Sequence, residues 1–295
     1  MIDKDYLIKA MDQEGQVKVT LARTTNLVEE AHVRHNTSAT ASAALGRVLT
    51  AALMMGSDLK GENDVLTLRV VGNGSAGTLV AAVDSQGNGR AFMSNPQADL
   101  PSIRPGKLNV GGIVGQDGYL ELTKNMGLKQ PFVGRVELTS GEIAEDLARY
   151  FLMSEQIPAL VALGVLVERD LSVKTAGGLI IQAMPGADDS LLEILESNIL
   201  NMGPISSLLV DNPDLNPILE KLFASIEYRL LNKQLLKFKC TCNRERLKTI
   251  LASFTKDELI EIYEEEGVLE ARCNFCNENY QFSLDEILAL KDKKP

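Results

Sequence analysis

The sequence predicts an α+β protein in three parts. These are an N-terminal mixed α/β domain with a β-sheet core, a helical amphipathic linker, and a small C-terminal module built on four cysteines. Three observations carry that reading. Residues 64–93 string β-branched, apolar segments between glycine turns, as a strand meander does. Residues 190–237 carry almost only helical signals. Cys240, Cys242, Cys273 and Cys276 are the only cysteines, and residues 1–239 have none. The expected boundaries are 1–185, 186–235 and 236–295.

Composition sets the frame for these parts. The chain has 295 residues, 45% of them hydrophobic and 24% charged, which excludes wholesale disorder and a disulfide-dense miniprotein. Its net charge of −10 is the wrong sign for a duplex-binding protein. The start, Met1-Ile2-Asp3-Lys4-Asp5, is acidic where a signal peptide is basic. The longest apolar run, Ala159 to Val167, is far shorter than the roughly 20 residues that cross a bilayer. A cytoplasmic location without membrane partners is therefore expected, where thiols stay reduced and paired cysteines bind metal.

In the first part, the alanine-rich stretch 37–55 reads as a helix ending near Gly56. Asp64 to Val71 and Thr78 to Val83 read as strands around the turn Gly72-Asn73-Gly74-Ser75-Ala76-Gly77. Gln86-Gly87-Asn88-Gly89 turns into a third, Arg90 to Met93. Thr139 with Glu142 has capping-box spacing and predicts a helix over 140–153. Ser172 to Met184 reads as a strand interrupted by Gly177-Gly178.

The linker begins after the break Pro185-Gly186-Ala187-Asp188-Asp189. Ser190 with Glu193 predicts a capped helix. Asn216 with Pro217 opens another, whose apolar stripe runs through Leu219, Leu222, Phe223, Ile226 and Leu230. Such a stripe serves equally to pack on the first domain or to be uncovered on demand.

In the tail, Asn243 caps a helix bearing Leu247, Ile250, Leu251 and Phe254. Thr255 with Glu258 caps a second helix that stops at Gly267. Ser283 with Glu286 caps a third, ending in Lys291, Lys293 and Lys294. About 60 residues make too little core to stand comfortably alone, and an internal metal would compensate.

The cysteine spacing supplies one. Side chains two apart in an extended segment share a face, so Cys240 and Cys242 can meet one ion. Cys273-Asn274-Phe275-Cys276 has the spacing of a turn presenting two thiolates. Together they form an all-sulfur set for one Zn²⁺, with the 30-residue gap filled by two short helices. Each pair could also close on itself, although an extended pair must bend to do so. Two local disulfides would consume all four ligands. Lys237, Lys239, Arg244, Arg246, Lys248 and Arg272 flank the cysteines. They either favour thiolate or balance acidic neighbours such as Asp257, Glu258 and Glu261.

Phe238-Lys239-Cys240-Thr241-Cys242-Asn243-Arg244-Glu245-Arg246, Cys273-Asn274-Phe275-Cys276 and Tyr280-Gln281-Phe282 closely resemble the C-terminal signature of the heat shock protein 33 family. Leu45-Gly46-Arg47, Leu59-Lys60, the stretch Gly141-Glu142-Ile143-Ala144-Glu145-Asp146-Leu147, Tyr150-Phe151 and Ser154-Glu155-Gln156 are similar to it as well. The resemblance implies a redox-regulated, ATP-independent holdase chaperone rather than an enzyme. In that family, reduced cysteines bind zinc and keep the protein inactive. Oxidation forms two disulfides, here Cys240–Cys242 and Cys273–Cys276, and releases zinc. The zinc module and linker then unfold, and an active homodimer captures unfolded or oxidatively damaged client proteins.

Other motifs compete weakly. Gly72-x-Gly74-x-x-Gly77 matches a dinucleotide fingerprint, but a strand follows where a helix is needed. His32 and His35 lack ligand partners at suitable spacing and read as structural or surface residues. The sequons Asn36-Thr37-Ser38 and Asn73-Gly74-Ser75 mean little in a cytosolic chain. A thiol–disulfide oxidoreductase built on Cys273-x-x-Cys276 leaves the other pair unexplained. A zinc ribbon for nucleic acid conflicts with the acidic balance.

Overall fold

The computed structural model describes residues 4–291, so Met1, Ile2, Asp3, Lys293 and Lys294 lie outside the described residues. The chain divides into two compact units that meet between Lys239 and Cys240.

The first unit begins with β1 (Tyr6–Asp12), β2 (Val17–Arg23), α1 (Thr25–His35) and α2 (Ala39–Gly56). Next come β3 (Val65–Gly72), β4 (Thr78–Asp84), β5 (Asn88–Met93), α3 (Val110–Val114), β6 (Gly118–Asn125) and β7 (Phe132–Glu137). Then follow α4 (Ala144–Tyr150), a π turn (Phe151–Glu155), β8 (Ala159–Val167) and β9 (Val173–Ala183). The unit closes with α5 (Asp189–Met202), α6 (Ile205–Asp211), α7 (Asn216–Phe223), β10 (Tyr228–Leu235) and β11 (Lys237–Phe238). One sheet has the order β10-β1-β2-β9-β8, and the other has the order β11-β5-β4-β3-β6-β7.

Helix α2 packs against strands of both sheets. An all-round apolar, alanine-rich helix must be buried on every side, and its residues are buried almost without a break. Ser38 caps it, accepting from the N–H of Ala41 at 3.1 Å. A Cβ at Gly46 would lie 2.6 Å from Val28 and 2.9 Å from Val165, so only glycine lets α1 and β8 approach this closely. Among the described residues, α2 is the one helix long and apolar enough to span a bilayer, but 89% of it is buried inside the fold.

The other face of the first sheet is covered by the stretch after Asp188. Tyr6, Ile8, Val17, Val19, Leu21, Leu179 and Ile181 point to that face. Leu195, Ile205, Leu209, Ile218, Leu219, Leu222 and Phe223 of α5–α7 are buried against them.

Several local expectations are corrected. The helical reading of residues 190–237 fails beyond Phe223. Ala224 takes a left-handed φ of 49°, which ends α7, and residues 228–235 pair antiparallel with β1 as an edge strand. Strand pairing overrides the helical stripe, so Ile226 and Leu230 lie outside any helix. Asp188, not Ser190, caps α5, accepting from the N–H of Ser190 at 2.9 Å. Asn216 lies inside α7 rather than capping it, and its N–H donates to Asp214 at 3.0 Å. The expected helix over 140–153 has no Thr139–Glu142 box. The buried Asp146 carboxylate instead accepts from the N–H groups of Thr139, Ser140 and Ile143, freeing Glu142 to pair with Arg47 at 2.6 Å. The turn at Gly72 to Gly77 joins β3 to β4, and Cβ atoms at Gly72 and Gly74 would strike the Val114 and Ile113 carbonyls. That close approach, not a nucleotide, accounts for those two glycines.

Asp5 ties three segments together. Its carboxylate accepts from the N–H of Leu27 at 2.7 Å, and its carbonyl accepts from the N–H of Leu236 at 2.9 Å. Burial pushes its pKa up from 3.8 to about 6, against the pull of the Leu27 and Asn26 hydrogen bonds. The native state therefore holds the proton more tightly than the unfolded chain. Stability from the protonated form is full below about pH 4 and is lost as pH rises through about 6. Relative to Asp5→Asn, the parent should lose about 2–3 kcal/mol of unfolding free energy between pH 4 and pH 7. Denaturant titrations across that range test this, and equal slopes for the two proteins would refute it.

Candidate metal and redox centre

The second unit comprises α8 (Arg244–Leu251), α9 (Lys256–Glu266), the hairpin of β12 (Leu269–Arg272) and β13 (Asn279–Phe282), and α10 (Leu284–Lys291). Local chemistry sets each boundary. Asn243 accepts from the N–H of Arg246 at 2.8 Å and caps α8. Thr255 and Glu258 form the full capping box of α9, and Gly267 ends it with a φ of 72°. Ser283 accepts from the N–H of Glu286 at 3.2 Å at the start of α10. The core is small: among the described residues, Leu247, Leu251, Leu259, Leu269, Phe282 and Ile287 form its buried apolar cluster.

The hairpin presents one thiol pair. β12 and β13 are in register from Leu269↔Phe282 to Arg272↔Asn279, so residues 273–278 form the connecting loop. The Cys273 N–H donates to the Glu278 carbonyl at 2.9 Å, and the Asn277 N–H donates to the Cys273 carbonyl at 2.8 Å. Asn277 takes a φ of 58°, a left-handed conformation that asparagine tolerates. This tight loop turns Cys273 and Cys276 inward, where both are buried. Cys240 and Cys242 supply the other pair from the segment ahead of α8 and are half-buried.

All four expected cysteines come together, with every Sγ within 4.8 Å of every other. Two sulfur–sulfur contacts within hydrogen-bond range cross between the segments. They are Cys240 Sγ to Cys273 Sγ at 3.6 Å and Cys242 Sγ to Cys276 Sγ at 3.3 Å. Four thiolates about 2.3 Å from a tetrahedral ion stand about 3.8 Å apart, so the donor set fits one such metal ion. His32 and His35 take no part. His32 Nδ1 lies 3.1 Å from both the Thr37 and Ser42 hydroxyls, and His35 Nε2 lies 3.0 Å from the Ala91 carbonyl.

The sulfurs are not equivalent. Burial pushes the Cys240 and Cys276 thiols above the usual range. Burial also acts on Cys242, but the Tyr280 hydroxyl and the other thiols outweigh it and hold this thiol below that range. Tyr280 Oη stands 3.5 Å from Cys242 Sγ. The sequence reading did not single out this contact. Its signal was period-two alternation, which puts Tyr280 on the same face of β13 as the buried Phe282.

Of the basic residues near the cysteines, Arg244 and Lys248 balance an acidic residue. They pair with Glu286 at 2.8 and 3.2 Å, and the Arg244 guanidinium also sits 4.4 Å above the Phe282 ring. That acid lies on α10, not on the acidic α9. These contacts tie α8 to β13 and α10.

A family model described as Hsp33 protein matches residues 5–283, which include all four cysteines. The chain belongs to the Hsp33 family. It is 46% identical to a 33 kDa chaperonin of Desulforamulus reducens over 284 residues, covering 96% of each chain. It is 43% identical to a 33 kDa chaperonin of Clostridium beijerinckii, covering 96% of this chain and 97% of the relative. The fold matches the crystal structure of a 33 kDa chaperonin, a heat shock protein 33 homolog, from Thermotoga maritima. That match has a TM-score of 0.91 and 37% identity, and it covers 98% of each chain. The resemblance read from the cysteine signature and the α+β expectation therefore both hold.

If the four sulfurs hold one ion, Co²⁺ titration of the reduced chain should saturate at one equivalent per chain, with a thiolate charge-transfer band and tetrahedral ligand-field bands. Cys276→Ser should weaken that charge-transfer band. Saturation at half an equivalent, or an octahedral spectrum, would refute a single four-thiolate site.

Proposed function

We propose that this chain is a cytoplasmic, redox-regulated holdase that captures unfolding or oxidatively damaged proteins without ATP and acts as a homodimer. Membership of a family whose relatives are named chaperonins supports the chaperone part. The observation that carries the redox part is the four-sulfur cluster in a unit with so little apolar core.

In the reduced state, Cys240, Cys242, Cys273 and Cys276 would hold one Zn²⁺, which supplies a structural cross-link when bound. The cross-link joins the segment ahead of α8 to the β12–β13 hairpin, and its binding free energy is folding free energy. An oxidant such as a peroxide takes two electrons from each of two thiolate pairs. Two sulfur–sulfur bonds form, and each peroxide leaves as two hydroxides or, once protonated, as water. The family resemblance assigns the pairs as Cys240–Cys242 and Cys273–Cys276. Either bond draws two sulfurs to about 2.05 Å, well inside the spacing of a tetrahedral site. The ligand set is then consumed, and the small unit loses its main tie.

The activity follows from what covers the first sheet. Tyr6, Ile8, Val19 and Ile181 stay dry only while α5–α7 lie on them. When those helices leave, an apolar sheet face and their own stripes become available to a client's exposed apolar segments. The acidic net charge and the engagement of Arg244 and Lys248 by Glu286 weigh against the nucleic-acid alternative.

Peroxide treatment of the reduced, metal-loaded chain should release Zn²⁺ and form two disulfides while suppressing aggregation of an unfolding client. Zinc loss without suppression would remove the chaperone reading, and turnover of a dithiol substrate would favour an oxidoreductase. Leu222→Ala should cost about 2–5 kcal/mol at a fully buried site. Polar substitutions at Leu222, Phe223 and Ile226 should loosen α5–α7 and raise activity in the reduced state. Unchanged protease resistance with no reduced-state activity would argue against a latched linker.

A further inference from the structure

The free edge of β8 is unlike the other sheet edges. β10 carries Arg229 and Lys233, β7 carries Arg135 and Glu137, and β11 is two residues long. Charges and shortness are the usual protections of an edge strand. β8 has nine residues, Ala159–Val167, with no charge and no proline. It ends its sheet, and among the described residues β9 is its only strand neighbour.

The hydrogen-bond alternation tells which main-chain groups are left over. The Pro158 carbonyl accepts from the N–H of Ala183 at 2.9 Å, which makes this a bonded pair across the ladder. Antiparallel pairing alternates, so in the observed register Leu160, Ala162 and Gly164 bond to β9. The N–H and C=O groups of Ala159, Val161, Leu163 and Val165 therefore point away from the sheet. Two cavities lie along that edge. One of about 610 Å³ is lined by Ala159 and Leu160, and one of about 480 Å³ by residues 162–167. Leu192 and Glu196 of α5 wall the first, and the α5–α6 turn at Gly203 and Pro204 walls the second.

We infer that β8 is a client-docking edge, which takes an extended, apolar segment of unfolded polypeptide as an added antiparallel or parallel strand. A row of outward donors and acceptors selects a main chain in extended form. The absence of charge along β8 selects apolar side chains, and the first cavity, where Ala148, Leu152, Met153 and Leu192 face Leu160, receives them, while Arg47, Lys107, Glu142 and Glu145 make the second a polar flank. The walls contributed by α5 and the α5–α6 turn make the edge crowded while the linker is seated and open once it leaves. This inference rests on the holdase reading and adds a main-chain docking edge to the apolar face which that reading exposes.

The test uses the full chain in its oxidised form and a labelled, uncharged Val- and Leu-rich peptide about nine residues long, matched to the strand. Val161 and Val165 have outward N–H groups, so proline there removes edge donors without touching the β9 ladder. Val161→Pro with Val165→Pro should weaken peptide binding at least about tenfold, as expected for two lost main-chain hydrogen bonds. Metal content and circular dichroism of the reduced form should match the parent. In the unsubstituted chain, peptide binding should protect the amides of Val161, Leu163 and Val165 from hydrogen exchange. The same peptide N-methylated at alternate residues should not bind. Protection confined to other residues, or undiminished binding of the N-methylated peptide, would overturn the proposal. So would protection that appears without peptide and grows with protein concentration, since that assigns the edge to a second copy. Client suppression by the oxidised parent without edge protection sinks only the docking edge. Absence of both suppression and peptide binding sinks the holdase reading with it.

Discussion

Four sulfur atoms within 4.8 Å of one another are the constraint on which the C-terminal unit depends. Six buried apolar side chains are a thin core for three helices and a hairpin. The sulfurs join the segment before α8 to the loop of the hairpin, which no strand pairing joins. The Arg244–Glu286 pair and the stacking of Arg244 on Phe282 add a surface staple of small energy. On the proposed function, the same atoms serve as structural tie and as the groups open to oxidation, which would couple the stability of this unit to its redox state.

The first unit rests on the opposite strategy. Helix α2 is buried on all sides, and Gly46 lets α1 and β8 approach it closely. Nothing in that arrangement contains a thiol. One face of the first sheet belongs to this permanent core, while the other is closed by α5–α7. The first unit therefore has one apolar layer built around α2 and a second that is closed by helices a few turns long.

Much of this was readable from residues alone, for identifiable reasons. Caps at Asn243 and Thr255 are short-range hydrogen-bond chemistry, and they occur where their spacing places them. Cysteine spacing found the site because metal geometry is local in sequence. Reading failed where a distant partner decides. Residues 228–235 have a helical stripe but find β1 more than 200 positions away. Asp146, fully buried, takes the place of the expected Thr139–Glu142 cap, and Glu142 instead meets Arg47, almost a hundred positions away on α2. Tyr280 beside Cys242 was missed because strand alternation identifies a face but not what lies opposite it.

The path of the chain at the end of the first unit has a consequence for unfolding. Helix α7 does not run into Cys240. Between them lie β10, paired with β1 along Tyr6–Asp12, and the short β11, paired with β5. Disorder spreading backward from the cysteines therefore cannot fray one continuous helix residue by residue. It must first unzip a sheet edge whose hydrogen bonds break nearly together. On the proposed function, this connectivity sets an order of events in which the covering helices would respond to a sustained loss of the C-terminal fold more than to a brief opening.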